Sequence, residues 1–255
     1  MTDPWRRRRD PLEPPPACRV ELVVARYREP VRWVRNVPSS VQVTIYDKGG
    51  DLDPALLPWA RVETLPNVGH EGHTYLHHLA TRYDELAPVT VFCQGHPFDH
   101  AWDFHPWLRD LVAGRRKVGD FQWLGFIIDT DDSRGRRLFV PWGRNADGRE
   151  LAVDRFHEAL LGTPCPPWLH FHLGAQFAVT AGCVRERPRS FYRRACDLAA
   201  SFPDAAHCLE RIWDRIFGVT GVDPALLLNG RTCHLRSTRR SREGDGGLAG
   251  RGQPE

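Results

Sequence analysis

At 255 residues, with 41% hydrophobic side chains and nine Trp, the chain has enough apolar mass for one large α/β domain; its 21 Pro and 22 Gly argue against a bundle of long helices. A formal charge of +3, with basic residues scattered except at the two ends, excludes a protein built around specific nucleic-acid binding, and no apolar run of about 18 residues is present to span a membrane. Seven Cys, odd in number and without a CxxC pair, suit reduced thiols buried as small hydrophobes and so a cytoplasmic location.

Residues 1–17 combine charge with proline and show no apolar period, which predicts a disordered arm ahead of a single domain over 18–232. Cys18 to Tyr27 reads as a buried strand with Leu22, Val23 and Val24 as a continuous apolar run. A short helix begins around Val31, Trp33 and Val34, and Val41–Asp47 alternates as a second strand turned by Lys48-Gly49-Gly50. Strand, helix, strand opens a parallel α/β unit.

The stretch Asn67–His100, NVGHEGHTYLHHLATRYDELAPVTVFCQGHPFDH, holds six of the twelve His. Asn67 or Gly69 can cap a helix running to about Tyr83, with Leu76, Leu79, Ala80 and Tyr83 as its apolar stripe. His70, His73, His77 and Asp84 fall beside that stripe and His78 points elsewhere. Val89–Cys93 is a third strand, and Gln94–His100 is the loop at its carboxyl end, where open α/β sheets place their ligands.

Trp102–Val112 predicts a helix, and Phe121–Ile128 a strand opening onto a loop Asp129-Thr130-Asp131-Asp132. A loop with Pro141, Gly143 and Gly148 leads to a helix over Leu151–Leu161. Leu169–Val179 alternates as one long strand whose second face carries His170, His172 and Gln176. A helix follows Pro188, and Asp204 caps another whose core stripe is Leu209, Ile212, Trp213 and Ile216, with Glu210, Arg211, Asp214 and Arg215 on a solvated charged face. From about Cys233 onward the chain reads as a disordered basic tail.

Four segments, VELVVARYREP (20–30), NVGHEGHTYLHHL with YDEL (67–86), VTVFCQGHPFDH (89–100) and GAQFAVTAGCVRERPRSFY (174–192), together resemble a family of uncharacterised bacterial and fungal proteins classed as a domain of unknown function. That family's helix motif carries Arg where this chain has His70. The layout is also similar to the GT-A fold of nucleotide-sugar glycosyltransferases, a Rossmann-like mixed sheet flanked by helices. This similarity implies a nucleotide held by the first strand and its turn, here Arg26 and Glu29. It also implies a D-x-D motif for divalent metal and diphosphate, here Asp129 and Asp131, unless Gln94-Gly95-His96 takes that position.

Glycosyl transfer needs charge neutralised on a leaving diphosphate and a base for the acceptor hydroxyl. Asp129 and Asp131 offer hard oxygens for Mn²⁺ or Mg²⁺, although DTDDSRG equally suits a solvated turn. The candidate ligand-binding residues are Arg26, Glu29, Asn67, His70, Glu71, His73, His77, Gln94, His96, His100 and Gln176; Glu210 and Asp99 are the candidate catalytic carboxylates. His73 and His77, at i, i+4, can also share one Zn²⁺ with Asp99 or His100 completing the site, but the order lacks HExxH. Three functions follow: a transferase acting on a nucleotide sugar, a non-catalytic carbohydrate- or nucleotide-binding protein, and a histidine-metal hydrolase.

Overall fold

The computed structural model describes residues 20–136, 150–223, 226–227 and the backbone of 233–234. The expected arm 1–17, the loop with Pro141, Gly143 and Gly148, and the tail beyond His234 lie outside the described residues.

Four parallel strands make the frame: β1 (Val20–Arg26), β2 (Gln42–Asp47), β3 (Arg61–Thr64) and β4 (Val89–Gln94). β8 (Phe177–Thr180) then pairs antiparallel with β4, and β5 (Phe121–Trp123) antiparallel with β8, giving the order β3-β2-β1-β4-β8-β5. This is the mixed α/β sheet expected from the sequence. Along β1, Val23 and Ala25 face one apolar cluster while Leu22 and Val24 face another, because a parallel sheet is buried on both sides.

One face is covered by α1 (His70–Thr81), α5 (Arg189–Ser201) and α6 (Ala205–Ile216), the other by α2 (Phe104–Val112) and the 3-10 turn Arg32–Asn36. Phe177 centres the first cluster, with ring centroids 4.9 Å from Trp213, 5.1 Å from Phe92 and 5.7 Å from Tyr75. Such aromatic packing makes this the part of the core least tolerant of truncation. A second, antiparallel sheet of β7 (Trp168–His172), β6 (Ile127–Asp132) and β9 (Cys233–His234) carries α3 (Val153–Leu161) in the chain between β6 and β7.

Several sequence expectations are corrected here. Phe121–Ile128 is two strands in two sheets: the break falls at Gly125, where a Cβ would come within 2.6 Å of the Leu173 carbonyl oxygen. Asp129–Asp132 is strand, not loop, since its backbone pairs with Trp168–Phe171. Leu169–Val179 is also broken, because Gly174 (φ +95°) and Ala175 (φ +50°) are left-handed and carry the chain from the small sheet to the large one. β3 escaped sequence reading because it is a short edge strand without a buried face. Cys233 and His234, placed in the tail by composition, pair with Ile128 and Ile127. The short α4 (Ala181–Arg185), unforeseen in the sequence, starts where the Thr180 hydroxyl accepts from the Cys183 N–H. Among the described residues no helix is long and apolar enough to cross a membrane.

Candidate functional site

In this strand order the connection from β1 runs to β2 on one side while β4 lies on the other, so the ends of β1 and β4 form a topological switch point. The turn Arg26–Glu29 and the loop Gln94–His100 emerge there. Trp33 Nε1, from the 3-10 turn Arg32–Asn36 that follows, donates to the Gly95 carbonyl oxygen at 2.8 Å and ties that turn to the β4 loop. A Cβ on Gly95 would come within 2.6 Å of Glu29 Oε2, so only glycine lets the Glu29 carboxylate lie against the β4 loop.

The β1 turn is rigidly built. Arg26, buried, donates through Nη1 to Asp47 Oδ1 and Asp51 Oδ1, both at 2.6 Å, and through Nε to the Glu29 carbonyl oxygen at 2.9 Å. Its guanidinium therefore braces the turn from beneath. Glu29 Oε2 accepts the Tyr27 N–H at 2.8 Å.

Lys48 is a site residue that sequence reading passed over as part of a turn. Its Nζ donates to the Val68 carbonyl oxygen at 2.5 Å and to that of His70, gripping the start of α1. Burial pulls its proton affinity down to about 8, against the opposing pull of the Glu71 charge. The signal available in the sequence was a lysine directly after a β-branched strand at the carboxyl edge of a parallel unit.

The helix start itself is unusual. Gly69 (φ +58°), rather than Asn67, occupies the cap position, and His70 follows at φ +47°. A Cβ on Gly69 would meet the Ala199 carbonyl oxygen at 2.5 Å. Gly69 has no side chain to cap the first turn of α1, and the Glu71 carboxyl meets its own backbone N–H there, at the end that carries the positive field of the helix dipole. Asn67 and His70 are exposed.

Glu71 is densely surrounded by protein yet keeps part of its surface in solvent. Its proton affinity is pushed up to about 7, first by burial and then by the charges of Glu210 and Glu29; its own backbone N–H and Lys48 pull the other way. Glu210 reaches in from α6, where Oε1 accepts the Gly174 N–H at 2.7 Å. Gly174 lies against the His100 ring, and Gln176 Nε2 donates to the Pro97 carbonyl oxygen at 3.0 Å. The turn between β7 and β8 is thereby fastened to the β4 loop. Glu29, Glu71, Glu210, His100 and Gln176, far apart in sequence, thus belong to one neighbourhood, with Gln94 at the end of β4 beside it.

Other candidates stand apart. His96 and Asp99 are exposed and face each other at 3.3 Å. His73 and His77 stack at 6.2 Å, with His77 edge-on to Tyr46; burial lowers the proton affinity of both, His73 to about 4. His78, which points elsewhere, is fully buried between Glu21 and Tyr46. Asp129 and Asp131 sit in β6 of the second sheet. Both are buried, and Asp131 Oδ2 accepts from Arg211 Nε at 2.8 Å with neither side chain exposed. The expected solvated face of α6 is corrected by the same contact, since Arg211 and Asp214 lie in the interior. Among the described residues no three His, Cys, Asp or Glu side chains converge as a metal ligand set.

The fold defines a mixed α/β protein with a candidate site at the carboxyl edge of its parallel strands. Residues 22–114 match the model of a family described as "Protein of unknown function (DUF3431)", which confirms over that segment the resemblance to an uncharacterised family. The segment includes Arg26, Lys48, Glu71 and the β4 loop; the fourth motif, 174–192, lies beyond it. None of the curated proteins matches the sequence. Among solved structures, CMP:2-keto-3-deoxy-manno-octonic acid synthetase complexed with CTP is similar over 80% of this chain and 88% of that chain, at 15% identity and a TM-score of 0.33.

Proposed function

We propose that the switch-point crevice binds a nucleotide sugar and that the protein transfers the sugar to an acceptor hydroxyl, with Glu71 as the general base. The observation that carries this reading is the half-buried Glu71 carboxyl in the first turn of α1, with Lys48, Glu29 and Glu210 as the charges around it and its proton affinity raised to about 7. The acceptor O–H gives its proton to the Glu71 carboxylate and the oxygen attacks the anomeric carbon. The bond from that carbon to the diphosphate breaks, and its electron pair leaves with the diphosphate. The first-turn amides of α1, with Lys48 behind them, face the leaving charge. Glu29 and Glu210 accept hydroxyl groups of the sugar.

Asp129 and Asp131 do not fit a Mn²⁺ or Mg²⁺ site in this arrangement, because Asp131 is engaged by Arg211 inside the second sheet. No step is assigned to a cation there. The same observation favours a second reading, in which the crevice binds a carbohydrate or nucleotide without turning it over.

Thermal stability with UDP, GDP, ADP and CMP, each with and without Mn²⁺, tests both readings, since a ligand of the native state raises the midpoint by mass action. The transferase reading expects a shift with one diphosphate, together with release of that diphosphate from its sugar conjugate that rises with pH through about 7 and is lost in Glu71→Gln. Binding without turnover leaves the second reading. No shift with any nucleotide refutes both nucleotide-based readings.

A further inference from the structure

Tyr75 lies one helical turn beyond Glu71 on α1, and helix side chains lean over the turn that precedes them. Its ring is fixed by Phe92, Phe177 and Trp213, at centroid distances of 5.0, 5.7 and 5.7 Å. Its hydroxyl is fully buried and has no hydrogen-bond partner among the described residues. Buried hydroxyls are nearly always hydrogen-bonded, so this one calls for a partner. The titratable groups that face it are Glu71 on its own helix and Cys93 of β4, whose thiol burial keeps protonated. Around Glu71 the facing charges are Lys48 after β2, Glu29 after β1 and Glu210 of α6.

We infer that Tyr75 is a positioning residue for Glu71, its hydroxyl donating a hydrogen bond to the carboxylate when that side chain turns inward from the crevice. Glu71 then has two seats, an outer one beside Lys48 and an inner one on Tyr75. This inference rests on the reading of Glu71 as the base. The inner seat stabilises the ionised form within a setting that otherwise disfavours it, and it aims the carboxylate without a second charge.

The test is an NMR titration of carboxyl-¹³C-glutamate-labelled full-length protein, with the Glu71 resonance assigned by its loss in Glu71→Gln. Tyr75→Phe keeps the ring and its packing. It is expected to raise the Glu71 midpoint by about one pH unit, the size of a lost hydrogen bond to a carboxylate. Thermal unfolding of the same variant is expected to show a larger loss of stability at about pH 9 than at about pH 5, because only the ionised carboxylate misses the donor. An unchanged or lowered midpoint overturns the inference. The titration needs neither donor nor acceptor, so it can fail while nucleotide binding succeeds, or succeed while nucleotide binding fails.

Discussion

Substituting Asp131 by Ala leaves the Arg211 guanidinium in the interior without the carboxylate that now sits 2.8 Å from its Nε, in a place where neither side chain is exposed. Removing one partner of a buried pair costs about 3–5 kcal/mol, mostly from the charge left behind. The remaining contacts of Arg211 place the effect at the low end of that range. Nη1 still donates to the His207 carbonyl oxygen at 2.6 Å, the guanidinium still lies 5.0 Å from the Phe171 ring centroid, and Glu210 Oε2 is 3.8 Å away. About 3 kcal/mol corresponds to a fall in Tm of about 6–12 °C for a chain of this size. Urea and thermal unfolding of Asp131→Ala measure it, and the double variant Asp131→Leu with Arg211→Met is expected to recover most of the loss. A Tm within about 2 °C of the parent protein would refute the structural assignment of Asp131. If that result came with loss of Mn²⁺-dependent nucleotide stabilisation, the metal-ligand reading of Asp129 and Asp131 would be restored.

Three further outcomes are expected. Because the Glu71 proton affinity is raised from 4.5 to about 7 on folding, its stabilising effect is complete below pH 4.5 and is lost as pH rises through about 7; Glu71→Gln should match the parent in acid and exceed it in Tm above neutrality. His172 is the opposite case: burial lowers it from 6.5 to about 4 while Nδ1 bonds the Gly125 carbonyl oxygen, so its contribution is present above pH 6.5 and is lost as pH falls through about 4. That contribution is at most about 3 kcal/mol, and His172→Asn should flatten acid unfolding in this window. Two glycine substitutions separate folding from binding. Gly174→Ala, at φ +95° with a Cβ 2.4 Å from the His100 ring, should destabilise the protein by about 2–4 kcal/mol. Gly95→Ala meets only the Glu29 side chain, its carboxylate most closely, and should weaken ligand binding with a smaller change in Tm; equal stability losses in the two variants would count against this division.

Much of the frame was legible in the chain because its signals are local. The apolar run in β1, the alternation of β2, the 3.6-residue stripe of α1 and the polar loop after β4 each follow from a few neighbouring residues. Together they predict a parallel unit with a ligand loop at its carboxyl edge, and that is where Glu29, Glu71 and Gln94 stand. The same local reading carried Asp129-Thr130-Asp131 into a loop, because acidic and turn-forming residues look alike whether they face water or a partner 80 positions away. Arg211 supplies that partner, and nothing near it in sequence marks it as a buried residue.

Residue types, periodicity and position on the sheet were thus determined by the sequence alone: the α/β class, the helix that carries Glu71, and the sheet edge at which the candidate residues gather. The tertiary structure decided the long-range pairings. It turned Arg26 inward onto Asp47 and Asp51, brought Lys48 under the start of α1, and split Leu169–Val179 so that Gly174 could meet Glu210. The proton affinity of Glu71 belongs to the second group as well. Charge state depends on the sum of burial and distant charges around one atom, and that sum exists only once the elements have packed.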